Sequence, residues 1–249
     1  MQQADYADTP EVVEASTTED GFTAVCIPGV QIQEVRRALG GAWSALGLRP
    51  FDMGTELRGP RADLERAIEQ IGQASGTVQM PPVAVYSTAE LYLESVVGRM
   101  KQAGVLLVSA ESCTAGLVSG TITEVPGSSS VLWGGFVVYS NESKVHIGVS
   151  PEVIESYGAV SRETVLSLVE ASLARSPANT AVAVSGIAGP DGGTDAKPVG
   201  TVWLAAGIRG KAPHAIRCHF SGDRRGVRLL AVGACHAAIM RVAMELTER

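Results

Sequence analysis

Short apolar runs alternate along this 249-residue chain with segments whose apolar positions recur every three or four residues. A short apolar run bounded by turn residues predicts a buried strand, and the three-to-four spacing predicts an amphipathic helix. The strands predicted in the C-terminal part are residues 105–110, 132–139, 180–185, 199–208 and 215–220. The helices predicted around them are residues 88–100, 117–122, a short one from residue 150, 163–174 and 224–248.

The order of these elements predicts the architecture of residues 88–249. Helices that alternate with buried strands indicate a three-layer α/β/α sandwich, because each face of the sheet must be covered. Only a tight turn at Gly210-Lys211 joins the last two strands, so these two should run antiparallel. We therefore expect a mixed, mostly parallel sheet.

A smaller α/β module is predicted at residues 21–76. Its pattern indicates a βαβα unit of roughly 55 residues, near the size at which a hydrophobic core is marginal alone. The module has no paired acids or histidines, so packing or oligomerisation is its expected role. Its predicted elements are a strand at 22–27, a helix at 32–46, a weak strand at 48–53 and a helix at 61–71.

Two further segments lack a sustained apolar pattern. Residues 1–20 are acidic, which predicts a mobile, disordered tail. Residues 77–87 contain Pro81-Pro82 and are predicted to be a linker, because proline fixes the backbone and removes a hydrogen-bond donor.

Composition and charge narrow the range of partners. The net charge of -6 and the pI near 5.3 leave no basic stripe to neutralise phosphates, so nucleic acid is not an expected partner. The four cysteines are scattered without the spacing of a metal site or a disulfide framework, which indicates a reducing compartment and no metal. No N-terminal signal and no run of about 18 apolar residues is present, so we expect a cytoplasmic protein with no membrane partner.

Ser112 lies where the first strand of the C-terminal sheet is predicted to end and a helix to begin. Helix N-terminal amides point at groups presented by strand ends, so this serine can be a nucleophile with the amides of Cys113, Thr114 or Ala115 as its oxyanion hole. A serine at a helix start can equally be an N-cap. No GxSxG surrounds Ser112 and the four histidines suggest no triad, so the base would have to be another residue.

Lys144 is the candidate base, and Tyr139 lies five residues before it. Lysine acts as a base only where burial or a neighbouring cation disfavours its charged form, which a cleft at a strand end can supply. Tyr139 ends an otherwise apolar strand, and its hydroxyl could reach the same cleft. The simpler interpretations are a solvated loop lysine and an amphipathic residue at the edge of the core.

A glycine-rich loop at residues 186–193 is the strongest chemical signal in the chain. Glycine at this density permits successive amides to converge on an anion, although a flexible surface loop is the alternative. Lys197 closes the loop, and Arg224 and Arg228 lie near the start of the last helix, where a phosphate could bind. Glu111 could orient the base or favour the start of the helix that follows. The substrate-binding residues predicted in all are Glu111, Cys113, Thr114, Gly116, Gly186, Gly189, Lys197, Arg224 and Arg228.

Five motifs occur in a characteristic order over about 160 residues, from Thr88 to Glu248. They are Ala110-Glu111-Ser112-Cys113-Thr114-Ala115-Gly116, Val125-Pro126-Gly127-Ser128-Ser129, Tyr139-Ser140-Asn141-Glu142-Ser143-Lys144, Gly158-Ala159-Val160-Ser161, and Gly186-Ile187-Ala188-Gly189-Pro190 with Lys197-Pro198-Val199-Gly200-Thr201. This series resembles the CinA C-terminal domain family, the nicotinamide mononucleotide deamidases also called PncC.

The resemblance implies a Rossmann-like α/β/α domain that hydrolyses the carboxamide of nicotinamide mononucleotide to the carboxylate and ammonia. It implies no metal or other cofactor, a nucleotide as the partner, and a place in pyridine nucleotide salvage. The family's serine nucleophile, lysine base and assisting tyrosine fall on Ser112, Lys144 and Tyr139. We also expect a homo-oligomer. The alternatives are a non-catalytic nucleotide-binding or regulatory protein and a hydrolase of a different amide.

Two features depart from the family's pattern. The family usually has two glycines after the threonine, whereas here Ala115 takes the first position and adds a methyl group near the expected oxyanion site. If that position requires a positive φ, the alanine is strained. The N-terminal part is also too short for the molybdopterin-binding-like domain that full CinA proteins carry.

Overall fold

The computed structural model describes residues 11–13, 23–40, 46–74 and 83–247, which form two five-stranded sheets and their covering helices. The strands are β1 Glu11–Val13, β2 Thr23–Pro28, β3 Gly47–Phe51, β4 Gly54–Gly59, β5 Val83–Val85, β6 Leu107–Glu111, β7 Leu132–Val137, β8 Thr180–Gly186, β9 Thr201–Ile208 and β10 His214–His219. The helices are α1 Ile32–Leu39, α2 Arg61–Gln73, α3 Tyr92–Gln102, α4 Leu117–Thr123, α5 Asn141–His146, α6 Pro151–Tyr157, α7 Arg162–Ala174 and α8 Arg224–Thr247.

The C-terminal sheet has the strand order β10-β9-β8-β6-β7. Strands β7, β6 and β8 are parallel, while β9 is antiparallel to both β8 and β10. Four of the five strands therefore run in one direction and β9 runs against them, which confirms the mixed, mostly parallel sheet.

Successive side chains of β6 serve opposite faces of this sheet, as the two-residue period of a strand requires. Leu107 packs into the core formed with α3, α4 and α8, whereas Val108 and Ala110 pack into the core formed with α7. Helices thus cover both faces, and the predicted three-layer α/β/α sandwich is confirmed.

Helix α8 is the most buried helix described, because Val227 and all residues from Leu230 to Ala243 are buried. By length and composition alone it could cross a membrane, but most of its apolar stretch lies inside the protein, as in the core helix of a globular fold. The cluster around α8 also contains Cys26, Val83 and Val85 of the N-terminal sheet. The helix therefore lies between the two sheets and joins the two units.

The predicted βαβα unit is present, with one more strand than the pattern indicated. Strand β4 pairs with both β2 and β3, and its interior carries Glu56, whose side chain is fully buried. That carboxylate accepts hydrogen bonds from the guanidinium groups of Arg49 and Arg58 and from the amide of Ala89. A charged residue at a buried strand position breaks the apolar run, so sequence analysis missed β4.

Several predicted boundaries differ in the structure. Helix α1 ends at Leu39, and residues 41–45 of the predicted helix lie outside the described residues. Strand β1 lies within the predicted acidic tail, of which the remaining residues are not described. Val83–Val85 of the predicted linker form β5 instead, because their buried side chains complete the N-terminal sheet between β1 and β2. Helix α3 begins at Tyr92 rather than at residue 88.

The two units meet at close backbone contacts on α8. A Cβ atom on Gly233 would lie 1.9 Å from the carbonyl oxygen of Met53. Nearby, the side-chain amide of Gln31 donates to the Ser221 carbonyl and accepts from the Ser221 amide, each at 2.9 Å. Gly233 is therefore required for the N-terminal unit to approach α8.

We predict that Gly233→Ala destabilises the protein, because the added methyl group overlaps backbone that cannot move freely. The expected loss is about 1–3 kcal/mol in the free energy of unfolding, measured by urea or thermal denaturation. Gly98→Ala in α3 is the matched control, since nothing lies within 4 Å of its added Cβ. The control should gain up to about 1 kcal/mol from helix propensity. Equal stability of Gly233→Ala and the parent would contradict this packing.

Candidate active site

The turn from Ser112 to Gly116 connects β6 to α4 at the carboxyl end of the parallel strands. Ser112 is 7% exposed, and its amide donates to the carbonyl of Val184 on the neighbouring strand. Helix α4 begins at Leu117 with Gly116 as its N-cap residue. Ser112 is therefore not the N-cap of this helix, and its hydroxyl is free for another role.

Lys144 lies on helix α5 and not in the loop that the sequence suggested. Ser140 is the N-cap of α5, where its hydroxyl accepts a hydrogen bond from the Ser143 amide at 3.0 Å. The Lys144 side chain is 1% exposed. Burial disfavours its charged form and lowers the pKa of Lys144 from 10.5 to about 8.

The structure brings the amine of Lys144 to the hydroxyl of Ser112. The amine donates to Ser112 Oγ at 3.1 Å, to the Val138 carbonyl at 2.8 Å and to the Tyr139 carbonyl at 3.1 Å. These distances are those of ordinary hydrogen bonds. Two residues that are 32 positions apart in sequence thus form a buried hydroxyl–amine pair.

Tyr139 contributes to this site through its main chain. Its carbonyl binds Lys144, whereas its hydroxyl accepts a hydrogen bond from the Arg224 guanidinium at 3.0 Å. The side chain is 58% exposed at the entrance of the site. The hydroxyl is bonded here to Arg224 and not to Ser112 or Lys144, so its assisting role stays a prediction.

The buried carboxylate of Glu111 stabilises the turn after Ser112. It accepts hydrogen bonds from the amides of Gly116, Val118 and Ser119 at 2.8–3.0 Å and from the Thr114 hydroxyl at 2.8 Å. Negative charge at a helix N-terminus is favourable. Of the two roles that the sequence allowed for Glu111, these contacts fit the second: Glu111 favours the start of α4 and does not orient the base. Glu111, Thr114 and Gly116 bind one another and do not line the cavity described below, so a contact with the substrate stays a prediction for all three.

A cavity of about 200 Å³ lies beside the hydroxyl–amine pair. The predicted site residues that line it are Ser112, Cys113, Tyr139, Lys144, Gly186 and Arg224. Sequence analysis did not single out the remaining lining residues, Asn141, Ala159, Val160, Ser185 and Ala188. Asn141, Ala159, Val160 and Ala188 fall within the motifs quoted above. Ser185 is the polar residue at the end of a buried strand. The sequence therefore contained a pattern that could have identified each of them.

Three further predicted substrate contacts lie elsewhere. The carbonyl of Gly189 accepts a hydrogen bond from Arg224 at 2.8 Å, so this glycine acts through its backbone. Arg228 donates to the carbonyls of the Ser112 turn and does not line the cavity. Lys197 lines a second cavity, of about 370 Å³, where its amine donates to the Tyr157 carbonyl at 2.8 Å. Lys197 does not line the cavity beside Ser112.

Cys113 is next to Ser112 and also lines the cavity. Burial raises the pKa of its thiol to about 12, so the thiolate is a negligible species near neutral pH. The cysteines in the described part of the chain are all free and buried. Among the described residues, no group of three or more His, Cys, Asp or Glu could hold a metal ion.

Ala115 adopts φ +52°, the left-handed region that favours glycine. The strain anticipated from the family's pattern is therefore real. Ala115 is exposed, however, and the turn keeps its hydrogen bonds, including the one from the Ala115 amide to the Ser112 carbonyl at 3.1 Å. The methyl group strains the backbone without filling the cavity.

The fold and the cavity define an α/β/α protein with a cavity at the carboxyl ends of its strands, the position at which open α/β sheets bind their ligands. The family model described as the CinA C-terminal domain matches residues 90–243, which is more than half of the chain. The chain therefore belongs to the CinA C-terminal domain family.

Individual relatives agree with this assignment. A CinA-like protein of Chlorobium phaeobacteroides is 44% identical over 168 residues, which cover 67% of this chain but only 39% of that protein. The nicotinamide-nucleotide amidohydrolase PncC of Escherichia coli K12 is 47% identical over 137 residues, 54% of this chain and 82% of that protein. The crystal structure of the competence/damage inducible protein CihA from Agrobacterium tumefaciens is 38% identical with a TM-score of 0.58, over 64% of this chain and 94% of that one.

We predict that Ala115→Gly raises the free energy of unfolding. A left-handed conformation costs a non-glycine residue roughly 1–2 kcal/mol, while glycine loses about 0.5–1 kcal/mol through its more flexible unfolded state. The net gain should be up to about 1 kcal/mol in thermal or urea unfolding. Ala174→Gly at an exposed position of α7 is the control and should be destabilised. A variant less stable than the parent would show that position 115 is not strained.

Proposed function

We propose that the protein is an amidohydrolase that converts nicotinamide mononucleotide to nicotinate mononucleotide and ammonia. Ser112 is the nucleophile and Lys144 is the general base. The observation that carries this proposal is the 3.1 Å contact between Lys144 Nζ and Ser112 Oγ, in a buried site beside a cavity. The 47% identity to the Escherichia coli amidohydrolase supports the substrate class.

The neutral form of Lys144 fits its surroundings. A neutral amine has two N–H donors and one lone pair. The carbonyls of Val138 and Tyr139 can accept the two N–H groups, while the Ser140 carbonyl is farther away at 3.5 Å. The lone pair of the neutral amine can then accept from the Ser112 hydroxyl at 3.1 Å, the reverse of the donation that the charged amine makes. With a pKa of about 8, a substantial fraction of the lysine is neutral near physiological pH. The lysine can therefore take the serine proton as the oxygen attacks.

The reaction then follows in two steps. Ser112 Oγ attacks the carboxamide carbon while its proton passes to Lys144, and the protonated lysine gives a proton to the departing nitrogen, so that ammonia leaves and an ester to Ser112 remains. A water molecule that loses a proton to Lys144 attacks this ester, and the returned proton restores the serine hydroxyl. Each step leaves the lysine as it began.

The amide of Cys113 is the proposed oxyanion donor. Among the described residues, the amides of Cys113 and Thr114 donate to no backbone carbonyl, whereas the Ala115 amide is bonded to Ser112. Cys113 also lines the cavity, which Thr114 does not. A preorganised amide at the position where negative charge develops is worth several kcal/mol in the transition state.

Arg224 is the proposed phosphate ligand. It lies at the rim of the cavity, where it binds the Tyr139 hydroxyl and the Gly189 carbonyl and makes no ion pair with a described carboxylate. A guanidinium suits a phosphate because its planar fork can donate two parallel hydrogen bonds. We further propose a cytoplasmic role in pyridine nucleotide salvage.

The strained Ala115 favours a second candidate, a protein that binds the nucleotide without turnover. Titration with nicotinamide mononucleotide combined with an ammonia assay separates the two functions. Saturable binding without ammonia indicates a binding protein, and ammonia release that saturates with substrate indicates the enzyme. A hydrolase of a different amide would release ammonia only from other pyridine or nucleoside amides.

We predict that Ser112→Ala and Lys144→Met each lower ammonia release by about 10³-fold or more, because each removes an essential group of one catalytic unit. Lys101→Met is the control, since Lys101 is an exposed lysine on α3 and should retain parent activity. Circular dichroism checks that each variant is folded. A Ser112→Ala protein that releases ammonia near the parent rate would refute the proposed nucleophile.

We predict that kcat/KM rises with pH and levels off above about 8. The reaction needs neutral Lys144, so below its pKa of about 8 the active fraction and kcat/KM fall about tenfold per pH unit. The measurement is initial ammonia release at low substrate concentration between pH 5.5 and 9.5, in buffers of constant ionic strength. A rate that stays flat or falls as the pH rises toward 8 would argue against lysine as the base.

A further inference from the structure

Arg228 reaches from the second turn of α8 to the turn that carries Ser112. Its Nε donates to the Cys113 carbonyl at 2.9 Å, and its terminal NH2 group donates to the Thr114 carbonyl at 3.0 Å. One guanidinium therefore bridges two consecutive carbonyls. A lysine could not reproduce this contact, because its amine is a single point and not a planar fork.

Arg224 lies one helical turn earlier on α8 and has a different environment. It lines the cavity and binds the Tyr139 hydroxyl, while Arg228 lies behind the turn and does not line the cavity. From their positions in sequence, both arginines are predicted to be possible ligands of a phosphate. Their contacts assign them to different tasks.

The bridge fixes the two peptide planes that follow Cys113, and it acts on the plane before Cys113 through the Ala115 amide. The C=O and N–H of a trans peptide point in opposite directions, so holding a carbonyl also orients the amide of its own plane. The plane before Cys113 is held because the Ser112 carbonyl accepts from the Ala115 amide. Arg228 holds the Thr114 carbonyl, which shares its peptide plane with the Ala115 amide. The guanidinium therefore fixes the amide that in turn holds the Ser112 carbonyl, and through this link it sets the direction of the Cys113 amide.

The turn needs such a constraint. Ala115 is held at φ +52°, a left-handed conformation that a residue with a Cβ atom disfavours. Glu111 holds the amides of Gly116, Val118 and Ser119 from one side, and Arg228 holds the two carbonyls from the other. The buried acid and the arginine therefore act on complementary groups of the same turn.

We propose that Arg228 is a positioning residue, which aims the Cys113 amide at the oxyanion without touching the substrate. This inference rests on the proposed amidohydrolase function. A misplacement of about 1 Å in a reacting geometry can cost on the order of 10²-fold in rate. Loss of Arg228 should therefore lower kcat and leave substrate affinity almost unchanged.

The test compares Arg228→Lys and Arg228→Met with the parent on nicotinamide mononucleotide and on nicotinamide riboside, which lacks the phosphate. We expect kcat to fall about 10- to 100-fold for both variants and by a similar factor on both substrates, with KM within about threefold. Arg225→Lys is the matched control, since Arg225 is exposed and its guanidinium lies 3.7 Å from the Asp52 carboxylate and does not contact the Ser112 turn. A rise in KM with kcat unchanged, or a loss confined to the phosphorylated substrate, would overturn the proposal and make Arg228 a phosphate ligand.

Amide hydrogen exchange separates this proposal from the amidohydrolase function. In Arg228→Met the peptide covering residues 112–119 should exchange faster than in the parent and in Arg225→Lys, because the Thr114 carbonyl that orients the Ala115 amide is no longer held and the turn opens more often. If the parent releases no ammonia but exchange still increases, the function fails and the structural role of Arg228 stands. Unchanged exchange in this peptide would overturn the positioning role whatever the activity.

Discussion

The arrangement of the site depends on an amine that the fold keeps out of water. Lys144 is 1% exposed, and the change in its pKa from 10.5 to about 8 corresponds to roughly 3 kcal/mol against its charged form, at about 1.36 kcal/mol per pH unit. The segment that connects β7 to α5 offsets this cost, because its Val138 and Tyr139 carbonyls accept hydrogen bonds from the amine. The same connection places the Lys144 amine beside the Ser112 hydroxyl. The amine that is costly to bury is therefore the group that can accept the serine proton.

Helix α8 connects this chemistry to the rest of the molecule. Arg224 meets Tyr139 and the glycine-rich loop, and Arg228 meets the turn after Ser112, so two neighbouring turns of one helix hold three loops of the site together. Further along, Gly233 lets the N-terminal unit pack directly on the same helix. The N-terminal unit thus supports the helix whose first turns organise the cavity, although none of the residues described for that unit lines the cavity.

The sequence predicted the sheet and pointed to Ser112 and Lys144 as the candidate reactive pair, because buried strands and the turns at their ends leave local patterns. It could not show that Lys144 lies on a helix, since the six residues of α5 are too few for a visible period. Strand β4 was hidden because Glu56 interrupts its apolar run, and the ion pairs with Arg49 of β3 and Arg58 of β4 that stabilise its buried charge form only when the strands pair. Sequence position alone also gave Arg224, Arg228 and Lys197 one role, whereas their roles depend on which carbonyl or hydroxyl each side chain meets in three dimensions.

The most direct test of this account is the titration of the Lys144 amine itself. Protein labelled with 13C at lysine Cε can be followed by NMR from pH 6 to 11, and the Lys144→Met variant identifies the signal. The account predicts a midpoint near pH 8, set by burial. A midpoint near the ordinary lysine value of 10.5 would show that the amine is charged at neutral pH, and it would contradict the central claim that Lys144 is held ready as a base.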